Sequence, residues 1–150
     1  MREHTGEKTV VGWREYVSLP DWEVGRVRAK IDTGARTSAI HVGEIQELED
    51  GRIRFEVVMR ERPSKRIVWV EATPVRNSRV KPSSGVRQSR RVVRTRLSLG
   101  GVEREIELSL VCRKGMLCRM LIGRTALADR FMVDPARRYV ASRRSRAKAS

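Results

Sequence analysis

The residue best placed to do chemistry is an aspartate in the run Ala29-Lys30-Ile31-Asp32-Thr33-Gly34-Ala35. A strand-like segment carries the carboxylate into a tight turn, and Gly34 lets the backbone approach closely with no side chain in the way. Thr33 supplies a hydroxyl that can lock the turn. Two carboxylates held close together cannot both ionise easily, so they share one proton. The charged one can take a proton from water as that water attacks a carbonyl carbon, while the protonated one hydrogen-bonds the carbonyl oxygen. That is the chemistry of peptide-bond hydrolysis without a covalent intermediate. Asp-Thr-Gly is also an ordinary turn former, so the tripeptide needs support from the rest of the chain.

One such aspartate does not make a pair. The others, Asp21, Asp50, Asp129 and Asp134, are not followed by Thr-Gly or Ser-Gly. A paired-carboxylate mechanism therefore requires a second copy of the chain across a two-fold axis, with Thr33 bonding across it. No metal is expected. There is no His-Glu-x-x-His, the two histidines are His4 and His41, and Cys112 and Cys118 stand further apart than the common zinc pairs. No cofactor is expected either, since the chain has no Gly-x-x-x-x-Gly-Lys-Ser/Thr loop for ATP.

The elements that must position Asp32 are mostly strands. Residues 8–19, 24–31, 37–42, 52–59, 66–72, 92–99, 102–111, 120–122 and 131–133 show β-branched or alternating patterns. Gly100-Gly101 marks a two-residue hairpin. Residues 123–130 form the one expected helix. Many short strands and a single short helix point to a closed all-β barrel or a sandwich. Residues 73–91, basic and rich in Pro, Ser and Gly, read as a long mobile excursion between two strands. Trp13, Trp22 and Trp69 read as core or turn-packing residues.

The chain is long enough for one domain with its own core, and its organisation reads as a flexible start (1–7), a folded domain (8–140) and a basic flexible tail (141–150). No run reaches the roughly 18 apolar residues of a membrane helix, and the polar start is unlike a secretory signal. A cytoplasmic location without membrane attachment is the expectation, with both cysteines reduced. The net charge of +15 favours polyanionic partners such as RNA, acidic peptides or ribosome surfaces.

A second segment joins the first. Leu121-Ile122-Gly123-Arg124 runs from an apolar strand through a glycine into the helix start. Together with Asp32-Thr33-Gly34-Ala35 it resembles the retropepsins, in the same order along the chain. Gly12-Trp13-Arg14-Glu15, residues 29–39, Ser83-Ser84-Gly85-Val86-Arg87, residues 120–127 and Phe131-Met132-Val133-Asp134-Pro135 resemble one branch in particular, the RimK-associated retropepsin-like family. That family has also been labelled as putative ATP-dependent zinc proteases. The resemblance spans residues 11–139.

It implies a closed retropepsin-like acid-protease β-barrel acting as a homodimeric aspartic endopeptidase. Asp32, Thr33 and Gly34 would be the catalytic loop, and Gly123 and Arg124 its structural support. Ala35, Arg36 and Arg87 would contact a peptide or protein substrate. The excursion is the candidate flap over that substrate. Some members of the family sit beside ATP-grasp ligases that add glutamates to a ribosomal protein, which implies association with such partners and trimming of acidic tags. Arg36, where retropepsins often carry an acid, and the basic Arg76, Arg79, Lys81 and Arg87 are consistent with acidic substrates. They are equally consistent with a solvated basic face. The competing function is a non-catalytic barrel that binds RNA or ribosome surfaces by charge; a metal-dependent hydrolase is a third.

Overall fold

The computed structural model describes residues 7–60, 63–80, 88–112 and 118–142. Its strands are β1 (Thr9–Gly12), β2 (Arg14–Leu19), β3 (Val24–Ile31), β4 (Ser38–Glu47), β5 (Ile53–Arg60), β6 (Arg66–Ala72), β7 (Arg76–Val80), β8 (Gln88–Leu99), β9 (Val102–Val111), β10 (Met120–Ile122) and β11 (Phe131–Asp134). One helical turn, α1 (Arg124–Leu127), lies between β10 and β11. Six strands close a barrel in the order β10-β3-β2-β8-β9-β4, and β10 pairs back onto β4. The fold class is thus the all-β closed barrel with one short C-terminal helix that the sequence implied.

Alternation builds the core. In β2 the inward positions are Glu15, Val17 and Leu19, and in β3 they are Val24, Val27, Ala29 and Ile31. The spacing of three between Val24 and Val27 comes from a bulge, where the pairing of Val17 with Val27 shifts to Leu19 with Val24. The extra residue leaves both Gly25 and Arg26 on the outside and strengthens the local twist. Val17, Leu19, Val24, Val27, Ala29 and Ile31 join Ile40, Phe55, Leu97, Leu108, Met120 and Ile122 in one continuous apolar cluster. The hairpin β5–β6 extends the sheet from the second half of β4. Trp22 packs edge-on against Phe55, with ring centroids 5.4 Å apart. Trp69 lies under the Arg54 guanidinium and Trp13 under that of Arg14.

Besides β4, which runs on to Glu47 past the expected end at residue 42, three segments differ from the sequence pattern. Residues 8–19 form two strands, because the backbone of Trp13 leaves the ladder. Its N–H donates to Arg137 O (2.9 Å) and its O accepts from Ile31 N (2.8 Å). On one side of that break β1 pairs in parallel with β11, and on the other β2 pairs with β3. The helix stops after one turn, since Ala128 takes an extended ψ of 137° and Asp129 a positive φ of 71°. The excursion over 73–91 also carries regular structure. β7 pairs antiparallel with the first half of β8, from Arg76 opposite Val92 to Val80 opposite Gln88. Arg76 and Arg94 hold Glu107 of β9 at 2.9 and 3.3 Å, and the Arg76 hydrogen bond draws that carboxyl below its usual range. The tip of this hairpin, with Lys81 and Arg87, lies outside the described residues, as do His4 and the basic run from 143 on. Gly100 and Gly101 take φ values of 59° and 82° at the β8–β9 turn, which suits glycine.

Candidate active site

Asp32 stands at the end of β3, on the loop that leads to β4. Sequence-distant β10 inserts between these same two strands, parallel to β3 and antiparallel to β4. The loop therefore opens around a third strand, and that strand's end holds it. Asp32 N donates to Ile122 O (2.8 Å), Arg124 N to Ala35 O (2.8 Å) and Thr125 N to Arg36 O (3.0 Å). The Arg124 guanidinium adds a bond to Thr33 O at 3.1 Å. Within the loop, Gly34 N donates to the Asp32 carboxylate at 2.9 Å, and Ala35 N to Asp32 O at 3.2 Å. Asp32 and Ala35 are half-buried residues, while Thr33, Gly34 and Arg36 are exposed.

The two sequence motifs thus meet in space. Asp32, Thr33, Gly34, Ala35, Arg36 and Arg124 form one hydrogen-bonded unit, against which Gly123 packs. Arg87 lies outside the described residues. A carboxylate fixed this way, with one oxygen already accepting a backbone N–H, is oriented and can present its other oxygen to water or to a second carboxyl.

Gly123 has a steric reason to be glycine. A Cβ there would sit 2.6 Å from Thr37 O and 2.9 Å from Ala35 O. Both carbonyls belong to the Asp32 loop, so any side chain pushes that loop away. Gly123→Ala is expected to cost about 1–3 kcal/mol, read as a fall in the urea midpoint with the slope unchanged.

Residues 10–144 match the family described as the retropepsin-like aspartic endopeptidase RimB. The chain belongs to this RimB-like family. Among curated relatives, a probable alpha-L-glutamate ligase of Desulfotalea psychrophila is 36% identical over 132 residues, covering 86% of this chain and 28% of that protein. One from Shewanella pealeana is 33% identical over 135 residues, covering 88% and 30%. The chain spans less than a third of the length of these relatives. A solved Legionella pneumophila protein of unknown function superposes with a TM-score of 0.73 at 29% identity, covering 90% of this chain and 99% of that one.

In this RimB-like chain two supporting residues escaped the sequence reading. Ser38 is buried, and its hydroxyl accepts Gly123 N at 3.0 Å, tying β4 to the β10–α1 junction. Glu15 is fully buried, and its carboxylate accepts hydrogen bonds from Gly12 N (2.6 Å), Val140 N (2.8 Å), Ala141 N (3.1 Å), Ser142 N (2.9 Å) and the Ser142 hydroxyl (2.6 Å). The signal for Glu15 was present: an acid at an inward position of an alternating strand demands several donors. No group of three or more potential metal ligands occurs among the described residues. His41 is buried on β4, and Cys112 and Cys118 are free.

Proposed function

We propose that the chain is an aspartic endopeptidase that works as a homodimer, with Asp32 of each subunit supplying one carboxylate of a shared dyad. The observation that carries this reading is the Asp32 loop itself. It is fixed from behind by β10 and Arg124, and its Thr33-Gly34 tip is exposed where a second copy could meet it. In such a dyad the ionised carboxylate takes a proton from a bridging water as the water oxygen bonds the peptide carbon. The protonated carboxyl hydrogen-bonds the carbonyl oxygen as it gains charge. Collapse of the tetrahedral intermediate breaks the C–N bond, and the leaving nitrogen takes the proton.

Further support for a second copy comes from the paired edge β1–β11. Val10 and Met132 stand opposite one another there, 44% and 59% exposed. An apolar pair of that kind gains by burial against its symmetry mate. The β7–β8 hairpin is the element available to close over a bound peptide, with Ala35, Arg36 and Arg87 as substrate contacts.

Acidic protein chains are the substrate class we favour, and a ribosomal protein carrying added glutamates, met in the cytoplasm, is a fitting example. The exposed Arg36, the net charge of +15 and relatives named for glutamate ligation all point that way. The ligase activity in those names is not carried over, because this chain matches only a short part of each.

The test is cleavage of a peptide ending in an oligoglutamate run, compared with its glutamine counterpart, across a range of enzyme concentration. Activity should rise as the square of protein concentration below the dimerisation range. The glutamate peptide should be preferred at low salt, with the preference shrinking as salt rises. First-order dependence down to a demonstrated monomer would overturn the shared dyad, and equal cleavage of the two peptides would overturn the acidic preference.

A further inference from the structure

The outer face of β2, β3 and β10 carries a row of cations with no carboxylate among them. On β3 the outward residues are Arg26, Arg28 and Lys30, the first placed there by the bulge. Arg14 of β2 stands opposite Lys30, and Tyr16 opposite Arg28. Arg119 precedes β10, and its backbone N–H donates to Arg28 O at 3.1 Å, which sets it at the next place across the sheet. The sole acid within these three strands is Glu15, which points inward with its carboxylate occupied by the chain's own donors. None of the ion pairs among the described residues involves Arg14, Arg28, Lys30 or Arg119.

Aromatic rings stand among these cations. Tyr16 and Tyr139 stack with centroids 5.0 Å apart and an interplanar angle of 19°. The Arg26 guanidinium lies 4.3 Å from the Tyr16 ring centroid, and that of Arg14 lies 4.6 Å from Trp13's. Burial pushes the Tyr16 phenol up, but the hydrogen bond and charge of Arg28, with Tyr139 and Arg26, outweigh it and draw the phenol below its usual range. The Nε atoms of Arg14 and Arg28 are shielded from solvent and have no acceptor in the described chain. A cation that merely solvates a surface keeps its donors in water. These two guanidinium groups instead lie against the face, Arg14 over the Trp13 ring and Arg28 bonded to the Tyr16 phenol.

We propose that this face binds single-stranded nucleic acid, with phosphates on Arg14, Arg28, Lys30 and Arg119 and a base against the face of Tyr139 turned away from Tyr16. An acidic peptide would feel the same field but would make little use of the stacked rings, whereas every base has a π-face to lay on them. The inference does not depend on the peptidase reading, and Asp32→Asn protein should bind as the unaltered chain does.

The experiment is fluorescence anisotropy of a labelled 12-nucleotide oligouridine, with an oligothymidine of equal length to separate RNA from DNA, over a salt series. Each phosphate neutralised should contribute about −0.7 to the slope of log K against log salt. The variant Arg28→Gln, Lys30→Gln, Arg119→Gln should bind at least tenfold more weakly and flatten the slope by about 2. The control Arg60→Gln, Lys65→Gln, Arg66→Gln removes three charges from the exposed end of the β5–β6 hairpin and should change affinity far less. Thermal melts confirm that both variants fold; if the first does not, the single variant Arg119→Gln, expected to lose about 0.7 of slope, replaces it. Tyr139→Ala should weaken oligouridine binding with the salt slope unchanged. The proposal fails if the two triple variants lose affinity equally, or if the first binds like the unaltered chain. It also fails if a 12-residue oligoglutamate displaces oligouridine as effectively as unlabelled oligouridine does, which would assign the face to acidic peptides.

Discussion

Asp32→Asn is expected to reduce peptide hydrolysis by about 10²–10⁴-fold, the range for losing a positioned acid–base group, while leaving the fold intact. Asparagine is close in size to aspartate and keeps an oxygen able to accept Gly34 N, the bond now made at 2.9 Å. What it loses is the ability to take a proton from water. Subunit mixing sharpens the test. With one carboxylate from each chain, an excess of Asp32→Asn protein should silence unaltered subunits by forming mixed dimers, so activity should fall well beyond simple dilution. If activity instead tracks the concentration of unaltered chain at all ratios, each subunit works alone and the shared dyad is wrong. Unfolding curves of the two proteins should overlay, which separates lost chemistry from lost structure.

Glu15→Ala is expected to be the most destabilising single change in the barrel, costing about 3–5 kcal/mol in urea unfolding. The magnitude follows from the number and kind of bonds. Hydrogen bonds to a charged group contribute about 1.5–3 kcal/mol each, without full additivity, and this carboxylate accepts from four backbone N–H groups and one hydroxyl. Alanine leaves Gly12 N buried without its acceptor and releases the segment from Val140 to Ser142. Glu15→Gln keeps one oxygen acceptor but brings an NH₂ against backbone donors, so it should recover only part of the loss. Hydrogen exchange gives a local readout: the amides of Val140, Ala141 and Ser142 should be protected in the unaltered protein and exchange freely in Glu15→Ala. A variant as stable as the unaltered chain would show that the bonds from Glu15 to residues 140–142 contribute nothing to the fold.

Arg137, just before that segment, reaches the Asp32 loop through the backbone. Arg137 O accepts Trp13 N, and Trp13 O accepts Ile31 N, one residue before Asp32. Gly12 sits against Arg137, where a Cβ would collide with the carbonyl oxygen. The motif Gly12-Trp13-Arg14-Glu15 is therefore a fastening point for residues 137–142, close behind the candidate catalytic loop.

Several features were legible in the sequence because they depend on neighbours along the chain. Alternating, β-branched or apolar runs marked β3, β6, β9 and β10 at their observed limits, since such patterns follow from strand geometry and burial. Gly100-Gly101 set its turn because both positions need φ values that other residues resist. The Asp32 turn and the Gly123-Arg124 junction could each be named from local residue types. Other features needed partners far away. The threading of β10 between β3 and β4, which brings Gly123 against Ala35 and Thr37, appears only once about ninety intervening residues have folded back. The break at Trp13 and the burial of Glu15 under residues 140–142 likewise rest on hydrogen bonds between segments remote in sequence. Patterning decides which face of a segment turns inward; which segment supplies the missing donors and acceptors is decided only when the barrel closes.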